Sequence, residues 1–397
     1  MFTSTLNERR IYYCFVFLSA LSESMEASRI FYGFFSAIKL IILPFQIILL
    51  FLLALNAKGR PRYWVFLSVL LLVGLYTYIV LGAWTIFLIA ACFFSRDKDI
   101  RKTAKAILFP TAFIFVWNYL YFVWLYYTNR GALDILTSLG FVRYYIFYGH
   151  PNNAMRYFLF IAVLYVFLRW NRIRLIEWIV IGLLAFSVYF YTVSAAVWVL
   201  ALLLVLWIGK SFKPFCTFAT WFSKHGVLLC IVLSLLPLLM DRLPVINPLY
   251  TWLDIISTGR FSSLSRAINL YGITVLGTNT EFGNAVMANG YPVLSDNAYV
   301  FTLVHEGVIY LVAIAAILLY SAKKLDYKSK CCITVFLLYA LVENSVFNMV
   351  SMFPVIAAAF IITAKKRTAN TYMAGSTEEL TSSYSEKRLR QRHWKML

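Results

Sequence analysis

Residues 173–209 read IRLIEWIVIGLLAFSVYFYTVSAAVWVLALLLVLWIG, with Arg174 and Glu177 as the only charges. A helix that crosses a bilayer needs about 20 mainly apolar residues. This stretch therefore holds two spans, 173–191 and 193–209, separated by the polar break at Thr192. The same alternation of apolar run and short polar break extends in both directions. It predicts twelve spans: 11–28, 31–55, 63–79, 82–95, 105–127, 153–169, 173–191, 193–209, 226–241, 297–320, 331–347 and 349–364. The first is clearly apolar only over Ile11–Leu21, which behind Arg9 and Arg10 resembles a signal-peptide core, and it reads as a retained anchor. Tyr63–Phe94 reads as a tight hairpin turning near Gly82.

Composition agrees. The chain is 62% hydrophobic and 13% charged, with mean hydropathy +0.76. Soluble proteins are nearer half apolar and a quarter charged, so a soluble enzyme, a disordered chain and a disulfide scaffold are all excluded. The expectation is an all-α polytopic membrane protein. It comprises one transmembrane domain over 1–364, outer loops at 128–152 and 242–296, and a basic disordered cytoplasmic tail over 365–397.

Lys and Arg number 36 against 17 Asp and Glu, a net charge of +19. In a soluble chain that excess would suggest nucleic acid; here it reports orientation, because cytoplasmic loops collect Lys and Arg. Twelve spans with both termini cytoplasmic place 28 basic residues inside and eight outside. Seven of the outer eight are Arg: Arg29, Arg130, Arg143, Arg156, Arg242, Arg260 and Arg266. Sorting by charge does not distinguish Arg from Lys, whereas recognition of phosphate does, because guanidinium is a planar fork of donors. Anion binding on the outer face is favoured over chance and interfacial snorkelling. The tail from Lys365 is set to attract anionic lipid headgroups. The six cysteines fall in spans or cytoplasmic loops, so no disulfide framework is implied, and no metal cluster or phosphate-cradling glycine loop is present.

Only the two long outer loops offer room for a site. Loops beyond about 15 residues are usually functional or disordered, and 242–296 is too apolar for disorder. Within it, Phe261–Tyr271 has the pattern of a short amphipathic helix, and Arg260 and Arg266 converge on one pyrophosphate if the helix begins between them. Asp296 has two readings, a general base or the N-cap of the next span. Asn297 and Tyr299 follow it. The first loop ends in Arg143, then Tyr148-Gly149-His150-Pro151-Asn152, then Arg156. There His150 is either a turn residue or, functionally, a proton carrier or phosphate donor. Charges within spans are functional candidates by default, which singles out His305, Glu306 and Glu343.

Taken in order, Gly149-His150-Pro151-Asn152 before a span, Thr258-Gly259-Arg260 with Arg266, Tyr271-Gly272-Ile273, Asp296-Asn297-Ala298-Tyr299 with Gly307 downstream, and Glu343-Asn344 resemble the Wzy-type polysaccharide repeat-unit polymerases of Gram-positive capsule or exopolysaccharide loci. These are distant relatives of the O-antigen ligases. The resemblance implies a C-type glycosyltransferase fold in the bacterial cytoplasmic membrane and a metal-independent, inverting transfer without a cofactor. Donor and acceptor would be undecaprenyl-pyrophosphate-linked oligosaccharides, with a flippase and a chain-length regulator as partners. It assigns Asp296, then His150, to catalysis. Arg143, Arg156, Arg260 and Arg266 fall to the pyrophosphate, with Asn152, Asn297, Tyr299 and Glu343 in support. Ligation of finished glycan to another acceptor and lipid-linked oligosaccharide transport are the alternatives. Where many relatives carry Ser-Arg-Thr this chain reads Thr192-Val193-Ser194-Ala195-Ala196, so Ala195 stands at an arginine position.

Overall fold

The computed structural model describes residues 2–56, 68, 72, 76, 85–95, 98–129, 133–138, 141–194, 196–241, 247–256, 260–280, 283–288, 291–293, 296–343 and 350–351. Among these the chain is mostly helical. The helices are α1 (Phe2–Glu26), α2 (Arg29–Asn56), α3 (Thr85–Phe93), α4 (Ile100–Thr128), α5 (Pro151–Arg169), α6 (Leu175–Thr192), α7 (Ala196–Ile208), α8 (Lys213–Asp241), α9 (Asn247–Ile256), α10 (Arg260–Tyr271), α11 (Ala298–Phe301), α12 (Val308–Ser321) and α13 (Tyr327–Tyr339). Four stretches, Ile100–Thr128, Pro151–Arg169, Leu175–Thr192 and Lys213–Met240, are long and apolar enough to cross a membrane. On α6 the large side chains Leu175, Ile179, Leu183, Phe186 and Phe190 form an exposed stripe at helical spacing. An apolar surface of this kind suits lipid, and the protein is membrane-embedded. The expected spans 63–79 and 349–364 and the tail lie largely outside the described residues.

The first helix departs from expectation. It is continuous from Phe2, so it starts before the expected span 11–28, and it is a core element: Tyr12, Phe15, Val16 and Ala20 are fully buried. Its polar residues face α4, where Ser24 Oγ donates to Thr111 Oγ1 at 3.3 Å and Ser28 Oγ to Asn118 Oδ1 at 2.8 Å. Small polar residues let helices approach closely and bond across the interface in an apolar medium. The polar character that makes 22–28 read poorly as a span is thus used in packing. Asp99 caps α4 by accepting from Arg101 N at 2.8 Å.

The two long loops add two antiparallel ribbons to the all-α plan. Strand β1 (Ile135–Ser138) pairs with β2 (Phe141–Tyr144), with Leu136 opposite Arg143, and β3 (Gly283–Ala288) pairs with β4 (Tyr291–Val293). Ile146 and Phe147 follow β2 with φ of 47° and 57°, a left-handed pair that turns the chain back over the helix ends. Phe147 O then accepts from Arg29 N at 2.7 Å, tying the first loop to the α1–α2 corner.

The expected tenth span is broken. After α11 the chain widens into a π-type turn over Thr302–Glu306, closed by Gly307 N donating to Thr302 O at 2.8 Å. Gly307, with φ +97°, then restarts the helix as α12. The cause is a backbone crossing. The segment 274–278 lies against the break, with Val308 N donating to Thr274 O at 3.0 Å, Ile309 N to Val275 O at 3.3 Å and Thr278 N to Val304 O at 3.1 Å. A Cβ on Gly277 would sit 2.2 Å from His305 O, and one on Gly307 2.5 Å from Gly277 N. In an apolar medium irregular backbone persists only where protein satisfies it, and here the 274–278 segment does so.

Candidate active site

The site gathers where the first loop, the large loop and the tops of α5 and α6 meet. His150 is the N-cap of α5. Its Nδ1 accepts from Asn152 N at 3.2 Å, and Pro151 occupies the first helical position, where a missing N–H costs nothing. A backbone N–H can only donate, so Nδ1 is unprotonated and Nε2 carries the proton. Burial pushes His150 below the ordinary imidazole range, Arg143 pushes it further, Asp296 opposes, and Arg156 and Arg260 again lower it. His150 is therefore a neutral donor through Nε2, with Tyr145 edge-on 6.3 Å from its ring.

Arg143 leaves β2 and is held at two points. Its Nε donates to Thr192 O at 2.7 Å, and Nη2 donates to Asn152 Oδ1. Burial, then the nearby Arg260 charge, lowers its pKa, a repulsion that an arriving anion would relieve. Thr192 ends α6 and is followed by Val193 at φ +48°. For a β-branched residue this is strained backbone, and strain of this kind concentrates at functional sites.

Asp296 pairs with Arg260, Oδ2 to Nε 3.4 Å, both about a third exposed. It does not cap the following helix. Asn297 does, its Oδ1 accepting from Tyr299 N and Val300 N, each at 3.0 Å, while its Nδ2 donates to Ser234 Oγ at 2.9 Å and Leu341 O at 3.1 Å. The cap competing with the general-base reading thus belongs to the next residue, and Asp296 is left at the open face.

Asn297 and Tyr299, expected in support, are held within the fold: Asn297 caps α11, and Tyr299 is buried with its hydroxyl donating to Leu337 O at 3.0 Å. Arg156 is not at the open face. It is buried one turn into α5, Nη1 lying 3.8 Å from Glu343 Oε1, so it acts as a fixed charge beneath the site. The convergence of Arg266 with Arg260 is expected for a helix beginning between them, and it begins earlier. Helix α10 begins at Arg260 itself, so six residues place Arg266 about 120° around and about 9 Å along the axis. The charges acting on His150 are Arg143, Asp296, Arg156 and Arg260. Thr258, Gly259, Ala195 and Asn344 lie outside the described residues. His305 is taken by Thr280 Oγ1 at 2.8 Å, and Glu306 is buried on the inner side of the break.

Two contributors escape sequence reasoning, the Thr192 carbonyl and Tyr145. Both depend on the β1–β2 ribbon folding over α6, and no local pattern signals that. Comparison with models of known families, with curated proteins and with solved structures finds no match.

Proposed function

We propose that this chain is a glycosyltransferase that polymerises undecaprenyl-pyrophosphate-linked repeat units into a polysaccharide at the outer face of a bacterial cytoplasmic membrane. In this reading twelve spans carry both loops outward. The observation that carries the proposal is the convergence of Arg143, Arg260 and the buried Arg156 around His150 and Asp296. A pyrophosphate diester needs preorganised positive charge where its leaving oxygen develops charge, and forked donors fit that need. The ordered motifs resembling the repeat-unit polymerases add to it.

In the transfer, the acceptor hydroxyl attacks the anomeric carbon as the bond to the pyrophosphate oxygen breaks. Asp296 takes the hydroxyl proton and later releases it to water. The lone pair left on the pyrophosphate is met by Arg143 and Arg260. His150 donates through Nε2 to a sugar or phosphate oxygen, the phosphate-donor role among the readings of the sequence. The Arg260–Asp296 pair opens for substrate, since an exposed ion pair is worth only about 0–1 kcal/mol. Arg143 is anchored on the carbonyl of Thr192, which stands three residues before Ala195 in the sequence. That supports a reading in which the first loop supplies the guanidinium that many resembling proteins place in the helix.

The broken tenth span favours a transport reading, because transporter sites are often built at half-helix ends. Against it, the N–H groups of Val308 and Ile309 are already taken by Thr274 and Val275 carbonyls. Purified protein given labelled lipid-linked repeat units discriminates. A ladder of longer glycans supports polymerisation, transfer only to a different acceptor supports ligation, and movement across liposomes without growth supports transport.

A further inference from the structure

We infer that the cleft between α5 and α6 is a binding site for a phospholipid with a net negative headgroup. Its acyl chain would lie in the cleft and its headgroup at Arg172 and Arg174. The cleft has a volume of about 320 Å³, within the range of ligand-sized cavities. Its walls are Phe158, Ile161 and Ala162 on one helix and Val180, Ile181 and Leu184 on the other. It runs from Ile176 to Leu184, about 12 Å along α6 at 1.5 Å per residue, and is almost wholly apolar until its end at the α5–α6 corner.

That end is polar and built. Tyr165 Oη donates to Glu177 Oε1 at 2.6 Å, Arg169 Nη2 lies 2.9 Å from the same oxygen, and Arg174 N donates to Glu177 Oε2 at 2.6 Å. Glu177 thereby compensates Arg169, whereas the side chains of Arg172 and Arg174 are exposed. Two uncompensated guanidinium groups at the mouth of an apolar cleft between membrane helices complement an anionic headgroup joined to a hydrocarbon chain. A zwitterionic lipid would bring a cation back to the same place. The site is separate from the one formed by His150 and Asp296, at the other ends of α5 and α6.

The test uses the full-length protein in nanodiscs and phosphatidylglycerol bearing a photoactivatable acyl chain, with cross-links mapped by mass spectrometry. Label should appear in residues 158–184. Unlabelled phosphatidylglycerol should displace it about thirtyfold better than phosphatidylcholine of the same chains, as attraction of about 1 kcal/mol for each of the two arginines implies. Arg172→Gln with Arg174→Gln, both exposed and away from the core, should remove that preference, while Ala162→Trp should remove the label. Mapping by position separates this site from the basic tail. Equal displacement by the two lipids, an unchanged preference in the folded double variant, or no lipid label in 158–184 would each overturn the assignment. The arginine pair decides the matter even if Ala162→Trp misfolds.

Discussion

Asp296 Oδ2 lies 3.4 Å from Arg260 Nε because the neighbouring Asn297, not Asp296, caps the next helix. A one-residue difference in who caps separates the carboxylate from the fold. Asp296→Asn should therefore leave the protein folded while lowering glycan elongation about 10²–10⁴-fold, the usual worth of a positioned base. Asn297→Ala should do the reverse first, costing about 1 kcal/mol of stability through the lost cap. Elongation rates and thermal unfolding of the two variants check the split. Full activity in Asp296→Asn would return Asp296 to a structural role.

Arg143 works only where Asn152 and the Thr192 carbonyl hold it. Removing Asn152 leaves the guanidinium present but loosely aimed. Asn152→Ala is expected to lower elongation about two- to tenfold, the range of one net hydrogen bond. Arg143→Lys, which loses the fork, should cost about 10²–10³ by analogy with an oxyanion-hole donor. Steady-state assays on protein of verified monodispersity measure both.

His150 must stay neutral to cap α5. The folded imidazole binds its proton less tightly than the unfolded chain, whose ordinary value is 6.5. Its contribution is thus complete above that pH and is lost as pH falls below it toward the lowered folded value. His150→Asn keeps a capping side chain and should flatten this acid-side loss, while His150→Ala should cost about 0.5–2 kcal/mol at neutral pH, a difference from the unaltered chain that shrinks as pH falls. Thermal unfolding across pH 5–8 reads both effects.

Gly277 and Gly307 touch backbone to backbone at the helix break. Either Gly277→Ala or Gly307→Ala places a Cβ within 2.5 Å of the opposing chain at positive φ. A loss of about 2–4 kcal/mol is expected from overpacking and left-handed strain together. The readout is a lower yield of monodisperse protein and a lower unfolding midpoint. Gly272→Ala has open space around its Cβ and should cost only the strain.

The legible part of this fold is its apolar periodicity. The expected spans 105–127, 153–169 and 173–191 lie close to α4, α5 and α6, because length and hydropathy decide them locally. The break at Gly307 is not legible, since it exists only where Val275–Gly277 crosses the helix, and 297–320 reads as one apolar run. At the site, residue type singles out Arg143, Arg260, Asp296 and His150, and the structure brings these four together. Residue type does not show that Asn297 rather than Asp296 caps α11, or where Arg266 lies relative to Arg260, because the decisive fact is the residue at which a helix begins. Helix starts at loop boundaries shift by one residue without any change in the hydrophobic pattern, and that single residue decides whether a side chain caps or reacts.

The central claim, that the Arg143–Arg260 cluster drives glycan transfer from a lipid pyrophosphate, is met most directly by one measurement. Radiolabelled lipid-linked repeat units are incubated with the purified protein and with Arg260→Lys, and the products are resolved by size. The account predicts a ladder of lengthening glycans from the unaltered chain and almost none from Arg260→Lys of equal stability. Single units left unchanged by folded protein, or a ladder of equal strength from the variant, would contradict it.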